Sequence, residues 1–318
     1  MLTEIALLVV GLVLLLVAGE LLVRGAVSLA KLLSVPALLI GLTVVAFGTS
    51  APELVVTIQA VLSGDNGIAM GNIVGSNIAN ILLVLGLPAV VSAISLATPR
   101  LRRHAVAMVL ATALFMGFVY LGGAIARTAG LVMLGAIFAY IVMIGLDARR
   151  GGDADLMAEV DEYGATDTSR WKTPLFLLLG LVGLPLGATL LVDNGALIAT
   201  RLGVREEVIG LTIVAFGTSL PELATVFAAA LKREADVAVG NILGSNIFNL
   251  LFVGGVAGLV GTSTFSPTAL AVDLPVMAIC ALLLAALVMV RGRIGRVLGV
   301  GFTLAYVGYI VFLGTAGA

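Results

Sequence analysis

Residues 41–54 read GLTVVAFGTSAPEL, a helix-breaking cluster followed by a carboxylate inside an otherwise apolar stretch. Residues 210–223 read GLTIVAFGTSLPEL and differ at only two positions. The same offset, 210 − 41 = 169 residues, aligns GNIVGSNIANIL at Gly71 with GNILGSNIFNLL at Gly240. The sequence therefore predicts two copies of one unit, with the functional site where the copies meet.

The composition is that of a polytopic membrane protein. Hydrophobic residues make up 61% of the chain and charged residues 11%, and the mean hydropathy is +1.21. Such a chain has too little polar surface to dissolve as a globule. This composition predicts membrane lipid as the surrounding partner. A net charge of −1 without a basic cluster offers no binding surface to nucleic acid. Nothing in the pattern implies an obligate protein partner.

A helix needs about 20 apolar residues to cross a bilayer, and the sequence contains ten such runs. They are 4–23, 36–62, 67–96, 104–123, 128–147, 173–199, 205–231, 237–260, 270–290 and 296–315. Each half holds five spans, an odd number, so the second copy crosses the membrane upside down relative to the first. The predicted fold is all-α, with ten transmembrane helices in two inverted five-helix repeats, an arrangement typical of transporters.

Lysine and arginine concentrate on the cytoplasmic side of membrane proteins, and this rule orients the chain with both termini outside. That orientation leaves only three of the 17 Lys and Arg residues outside, namely Arg127, Arg201 and Arg205. The predicted units are a first repeat at 1–147, an acidic cytoplasmic linker at 148–172 and a second repeat at 173–318. The doubled segments lie at about 36–96 and 205–260. The expected location is the cell membrane.

The doubled motif predicts a break in the second helix of each repeat. Pro52 has no N–H to donate to the Gly48 carbonyl, so the helix should break between them, freeing carbonyls that suit a cation. Ser50 and Glu53 also fit a helix-capping box, which needs no ligand. However, an ionised glutamate at the bilayer centre costs about 2.5–3.5 kcal/mol. Two such carboxylates, Glu53 and Glu222, therefore favour a functional role over capping alone.

A polar stripe accompanies the break in each copy. Asn72, Ser76 and Asn80 lie four residues apart and share one helical face, and the second copy repeats the pattern with Asn241, Ser245 and Asn249. Three polar side chains on one stripe in hydrocarbon need partners. The glycines beside them, in Gly71-x-x-x-Gly75 and Gly240-x-x-x-Gly244, predict close helix packing in both copies.

The candidate ligands are all oxygen donors, without sulfur or imidazole. They are Glu53, Glu222, Asn80, Asn249, Thr49, Thr218, Ser76 and Ser245, together with freed carbonyls. Hard cations such as Ca²⁺, Na⁺ and Mg²⁺ prefer oxygen, and Ca²⁺ takes about six to eight such ligands. Two carboxylates neutralise one divalent ion, and the same pair could be neutralised by two or more Na⁺ or by protons. This mutual exclusion is the physical basis of antiport. The site predicts neither an enzyme nor a bound cofactor.

These motifs resemble the sodium/calcium exchanger branch of the calcium/cation antiporter superfamily, whose repeats carry G-T-S-x-P-E-L and G-N-x-x-G-S-N-I. The resemblance implies that Glu53, Glu222, Thr49 and Thr218 bind Ca²⁺, with Asn80 and Asn249 at the border of the site. It also implies alternating access, with the first and sixth spans sliding over a fixed core. The implied flanking Na⁺ sites comprise the Ala46 carbonyl, Thr49 and Ser76 on one side and the Ala215 carbonyl, Thr218 and Ser245 on the other, with Ser50 and Ser219 nearby.

Other readings remain open at this point. Proton-coupled members share the general plan, so H⁺ is an alternative coupling ion. An ion channel would need a ring of subunits or a continuous pore, and a hydrolase using Ser50 or Ser219 would lack a base. Among the remaining charges, Glu20 is interpreted as an i,i+4 partner of Arg24, and His104 as part of a basic cytoplasmic turn.

Overall fold

The computed structural model describes residues 2–98, 100–150, 171–202, 217–267 and 269–316, which are almost entirely helical. The helices of the first repeat are α1 Leu2–Leu33, α2 Ala37–Thr49, α3 Ala51–Leu62, α4 Asn66–Val91, α5 Leu101–Gly122 and α6 Arg127–Arg150. Those of the second are α7 Lys172–Arg201, α8 Leu220–Leu231, α9 Ala235–Val260, α10 Ala269–Met289 and α11 Arg296–Ala316. Four two-residue strands are β1 Ile94–Ser95, β2 Ala124–Ile125, β3 Ser263–Thr264 and β4 Arg293–Ile294.

Eight of these helices are long and apolar enough to cross a membrane, and the bent pair α2–α3 gives a ninth span. The predicted tenth span, 205–231, is described only from residue 217, where α8 is a shorter apolar helix. The chain is thus an all-α membrane protein, and the count of ten stays a prediction. The predicted linker, 148–172, lies outside the described residues except at its ends.

Two short strand pairs carry the internal symmetry. β1 pairs antiparallel with β4, with Ile94 opposite Ile294, and β2 pairs with β3, with Ile125 opposite Ser263. Adding 169 converts β1 into β3 and β2 into β4, so the two pairs are copies of each other in the same register. Each pair joins the first repeat to the second, as inverted halves require.

Helices α1 and α7 lie against each other over their length as an antiparallel pair. Small residues allow the close approach, since a Cβ at Gly11 would lie 2.9 Å from the Gly187 carbonyl oxygen. Arg201 Nη2 lies 2.6 Å from Glu4 Oε1 at one end of the pair. At the other end the hydroxyls of Ser28 and Thr173 are hydrogen-bonded. The two equivalent helices of the repeats therefore form one packed unit.

The centre of the molecule is built from α4 and α9, which are the most buried of the membrane-length helices in the described chain. Helix α2 packs on α9 of the opposite repeat, while α3 packs on α4 of its own. The glycine prediction is confirmed for α9, because a Cβ at Gly240 would lie 2.8 Å from the Leu38 carbonyl oxygen and one at Gly244 would lie 2.7 Å from that of Leu42. The broken helix of one repeat is thereby held against the polar helix of the other. The glycine prediction is wrong for α4, because a Cβ at Gly71 or Gly75 would have no atom of the described residues within 4 Å apart from its own helix backbone.

The prediction for His104 is wrong. Its side chain is fully buried in the first turn of α5, and its Nδ1 lies 3.0 Å from the Tyr140 hydroxyl on α6. The equivalent positions in the second repeat are Asp273 and Tyr309, whose hydroxyl donates to Asp273 Oδ1 at 2.8 Å. A polar pair therefore joins the last two helices of each repeat, and neighbouring arginines in the sequence concealed the buried member of the first pair.

Candidate cation site

The predicted helix break is present in the first repeat. Helices α2 and α3 meet at Ser50 at an angle of 41°, and Pro52 lies in the first turn of α3. The Ser50 side chain makes no capping hydrogen bond to α3, and its hydroxyl donates to Glu222 Oε1 across the repeats at 3.4 Å. The capping interpretation therefore does not account for this serine.

Glu53 and Glu222 are both completely buried, Glu53 in the first turn of α3 and Glu222 in the first turn of α8. The two carboxylates are close enough to interact electrostatically. Among the described residues, neither is paired with a lysine, arginine or histidine. Glu222 lies beside the hydroxyls of Thr49, Ser50 and Ser245. The centre of the protein thus holds two acidic groups from opposite repeats with neutral polar neighbours.

The polar stripes of α4 and α9 face this centre. Asn80 and Asn249 each open a π-helical turn, at Asn80–Val84 and Asn249–Val253, a local widening that is frequent at functional sites. Both asparagines are completely buried, and Ser76 and Ser245 are nearly so. The two helices therefore deliver matching hydroxyl and amide groups from opposite repeats.

Hydrogen bonds across the repeats connect these groups. Thr49 Oγ1 lies 3.2 Å from Asn241 Oδ1 and 3.5 Å from Ser245 Oγ. Thr218, which is half-buried, lies 3.4 Å from Asn72 Oδ1 through its hydroxyl. The end of α2 in the first repeat and the residues just before α8 in the second are therefore each bonded to the polar helix of the other repeat.

The Ala46 carbonyl is the backbone group of the first predicted flanking site. The Ala46 carbonyl accepts the Ser50 N–H at 3.0 Å and the Thr49 hydroxyl at 3.4 Å. Its counterpart Ala215, predicted for the second flanking site, lies outside the described residues.

Several buried atoms of the site have no hydrogen-bond partner among the described residues. They are both carboxylate oxygens of Glu53, Glu222 Oε2, Ser219 Oγ, Asn80 Oδ1 and both amide atoms of Asn249. Buried polar groups are normally paired, so a cluster of this kind offers its free lone pairs to a ligand. All but the Asn249 nitrogen are oxygens, which suits a hard cation.

The two halves of the site differ in the hydrogen-bond partners of their serine and glutamate side chains. Ser50 reaches Glu222, but the equivalent atoms Ser219 Oγ and Glu53 Oε1 and Oε2 have no partner in the described part of the chain. Helix α1 covers α8, since a Cβ at Gly19 would lie 2.9 Å from the Ala224 carbonyl oxygen. Val55, which corresponds to Ala224, is 53% exposed on α3. Helix α8 is therefore covered by α1, whereas the equivalent helix α3 is partly exposed.

Asn77 and Asn246 belong to this region although the predicted ligands did not include them. Asn80 Nδ2 donates to Asn246 Oδ1 at 3.0 Å, and Asn77 is almost fully buried with an unpartnered Oδ1 within the described residues. Spacing of three residues, Asn77 to Asn80 and Asn246 to Asn249, places each pair on one helical face. That repeated spacing was the available signal.

Known proteins resemble this chain over nearly its full length. The sequence family described as sodium/calcium exchanger protein matches residues 3–146 and 172–315. Inner membrane protein YrbG of Escherichia coli is 36% identical over 98% of this chain and 97% of its own. Sodium/calcium exchanger MaX1 of Methanosarcina acetivorans is 32% identical over 96% of this chain and 97% of its own.

The fold also matches a solved exchanger. A structure of the sodium-calcium exchanger NCX_Mj soaked with 10 mM Na⁺ and 10 mM Sr²⁺ superposes with a TM-score of 0.83 and 31% identity. The match covers 97% of each chain. Sequence family, relatives and fold agree, and the protein is a member of the sodium/calcium exchanger family, within the calcium/cation antiporters.

Proposed function

We propose that this protein exchanges Na⁺ for Ca²⁺ across the membrane at a central site formed by Glu53 and Glu222. The observation that carries the proposal is the pair of completely buried carboxylates, one from each repeat, with three of their four oxygens unpartnered among the described residues. Two isolated charges in a low-dielectric interior are strongly disfavoured unless a cation compensates them.

The neutral neighbours fit the same cargo. The described residues contain no cluster of three or more His, Cys, Asp or Glu side chains. Beyond the two glutamates, the remaining ligands at this site would therefore be hydroxyls, amides and carbonyls. That donor set is the one Ca²⁺ and Na⁺ prefer. In this scheme Thr49, Thr218, Asn80 and Asn249 surround the Ca²⁺ position.

Charge balance at the two carboxylates would couple Na⁺ transport to Ca²⁺ transport. The two carboxylates carry two negative charges, which one Ca²⁺ or two Na⁺ can neutralise, and a vacant charged site is costly to carry between the two sides of the membrane. We assign one Na⁺ position to Thr49, the Ala46 carbonyl and Ser245, because Thr49 Oγ1 lies 3.4 Å from the Ala46 oxygen and 3.5 Å from Ser245 Oγ. The symmetry-related position comprises Thr218, the Ala215 carbonyl and Ser76. This replaces the grouping of each threonine with the serine of its own repeat that the resemblance implied. The names of MaX1 and NCX_Mj, both sodium–calcium exchangers, support these two ions.

Alternating access has a structural basis in the packed pair α1–α7. This pair covers α8 and leaves α3 exposed in part, so a shift of the pair toward α3 would exchange the two environments. We place the Lys232 end of α8 on the cytoplasmic side, because 14 of the 17 Lys and Arg residues then face inward. In that orientation the described conformation is closed toward the cytoplasm.

Proton coupling is the second candidate. Its supporting observation is the absence, within the described residues, of a cationic side chain beside Glu53 or Glu222. Protons could then neutralise the carboxylates in place of Na⁺.

The deciding experiment is ⁴⁵Ca²⁺ uptake into proteoliposomes. Vesicles loaded with Na⁺ are compared with vesicles loaded with choline, with and without an imposed proton gradient. Uptake that requires internal Na⁺ is expected. Uptake that follows the proton gradient alone would establish the second candidate, and unsaturable uptake without any counter-ion would overturn antiport altogether.

A further inference from the structure

Two asparagines outside the predicted ligand set make the same contact in opposite repeats. Asn241 Oδ1 lies 3.2 Å from the Thr49 hydroxyl, and Asn72 Oδ1 lies 3.4 Å from the Thr218 hydroxyl. The asparagines are 169 residues apart, and so are the threonines. An arrangement that recurs across inverted repeats belongs to the common design of the two halves.

The chemistry of a hydroxyl explains what this contact does. A threonine hydroxyl has one hydrogen and two lone pairs, whereas the Oδ1 of asparagine can only accept. If the hydroxyl donates its hydrogen to Asn241, its lone pairs are left for a cation. The Ala46 carbonyl is a more distant acceptor, at 3.4 Å. The Glu222 carboxylate, which also lies near this hydroxyl, would be engaged by the cation itself.

The amide ends of the two asparagines are held differently. Asn72 Nδ2 donates to the Glu53 carbonyl at 3.0 Å and to Thr57 Oγ1 at 2.8 Å. These two acceptors fix its oxygen toward Thr218. In the second repeat Val226 replaces Thr57, and Asn241 Nδ2 has no partner in the described chain. Asn241 Oδ1 instead accepts from Ser245 as well, at 3.3 Å.

We propose that Asn72 and Asn241 are positioning residues of the cation site. Each accepts the hydroxyl hydrogen of the site threonine in the opposite repeat and so turns the threonine lone pairs toward the ion. The inference rests on the proposed function, because it assigns Thr49 and Thr218 as ligands. It adds that each threonine needs an acceptor from the other half of the molecule in order to bind.

A double-mutant cycle separates this role from simple helix packing. Asn241→Leu keeps the volume and removes the acceptor, and Thr49→Val removes the hydroxyl. Each single variant should raise the cation concentration for half-maximal transport about 3- to 10-fold, the effect of one neutral hydrogen bond. The double variant should lie within about twofold of Thr49→Val alone, because Asn241 acts through Thr49.

Two control variants remove buried polar groups that lie outside the candidate site. Asn194→Leu and Thr112→Val remove a buried amide and a buried hydroxyl that, within the described ranges, bond to carbonyls of their own helices. Both should leave the half-maximal concentration unchanged. Asn241→Ser, which retains an acceptor oxygen, should lie between wild type and Asn241→Leu.

The outcomes distinguish this inference from the proposed function. Fold-changes that multiply in the Thr49→Val, Asn241→Leu double variant would mean packing alone and would overturn the positioning role, even with normal wild-type Na⁺/Ca²⁺ exchange. If wild type exchanges no Na⁺ for Ca²⁺, the proposed function fails. The same cycle is then measured as the rise in thermal midpoint that CaCl₂ or NaCl gives the detergent-solubilised protein. If the two substitutions reduce that rise additively, the positioning role is overturned. It is also overturned if neither salt stabilises the wild type. If either 241 variant does not fold, the Asn72→Leu, Thr218→Val cycle gives the same test.

Discussion

Lys232 Nζ lies 3.2 Å from Glu20 Oε1 and joins α1 of the first repeat to the end of α8 in the second. Glu20 also makes the predicted pair with Arg24, so Lys232 is an additional partner that the sequence did not reveal. The equivalent positions are Thr189 and Ser63, which cannot form an ion pair. The contact therefore has no symmetry-related counterpart, and in the proposed alternating-access cycle it would stabilise one state and not the other.

We expect Lys232→Gln to shift the conformational balance toward the opposite state by up to about fivefold, because a partly exposed ion pair contributes about 0.2–1 kcal/mol. In a Cys280→Ser background, labelling of Val55→Cys by a water-soluble maleimide should slow and labelling of Ala224→Cys should accelerate. Arg201→Gln is the matched control, since it breaks an ion pair internal to α1–α7. Unchanged labelling in Lys232→Gln would contradict the prediction.

Glu53→Gln and Glu222→Gln should each reduce Ca²⁺ transport by at least about 100-fold, since each removes half of the compensating charge at nearly constant volume. The thermal midpoint without Ca²⁺ should stay equal or rise, because a buried charge is lost. Stabilisation by added Ca²⁺ should disappear. Asp65→Asn is the control, because that carboxylate caps α4 by accepting the Ile68 N–H at 3.0 Å and lies outside the site. Normal uptake by either glutamine variant would remove the central claim.

Asn249→Asp should make transport pH-dependent. Asn249 is completely buried and its amide atoms have no partner among the described residues, so a carboxylate there would join Glu53 and Glu222 in one coupled titration. Like charges raise proton affinity, so Ca²⁺ transport should fall at acidic pH more steeply than in wild type. Asn194→Asp supplies a buried carboxylate in α7 as the comparison. Identical pH profiles for wild type and Asn249→Asp would exclude Asn249 from the site.

Arg233→Gly should stabilise the protein. Arg233 follows α8 with φ of 61°, and the equivalent residue after α3 is Gly64 with φ of 77°. The left-handed conformation costs a residue with a Cβ about 1–2 kcal/mol, and the greater flexibility of unfolded glycine offsets about 0.5–1 kcal/mol. The thermal midpoint should rise by about 1–3 °C. Arg233→Ala keeps the strain, and an equal rise in that variant would show that the side chain, not the backbone, is responsible.

The sequence was most informative about features that occur within one helix and are repeated in both halves of the chain. The break near Pro52, the buried carboxylates and the stripes on α4 and α9 all follow from residue type and spacing, because those features are local to one helix. Which threonine meets which asparagine is not local. Thr49 bonds to Asn241 rather than to Asn72 because α2 packs on the opposite repeat, and helical periodicity carries no information about that choice.

His104 marks another limit of this kind. Three arginines within four residues gave it the profile of a water-exposed turn, whereas it lies buried against Tyr140. The symmetry offered a clue, since the equivalent pair is Asp273 and Tyr309. The tyrosine is the same in both pairs, but its partner is a histidine in the first repeat and an aspartate in the second. A search for residues identical in both repeats therefore misses the pair.

The strand pairs β1–β4 and β2–β3 have a consequence for biosynthesis. Each joins a segment made early to one made late, as do the bonds of Thr49 to Asn241 and of Asn72 to Thr218. When helices α1–α6 have left the ribosome, their strands and the hydroxyls of the candidate site still lack these partners, so the candidate cation site is among the last parts to form. Contacts of such long sequence separation slow folding. Two half-chains expressed separately should therefore remain incomplete, and regain the site only when both are inserted into the same membrane.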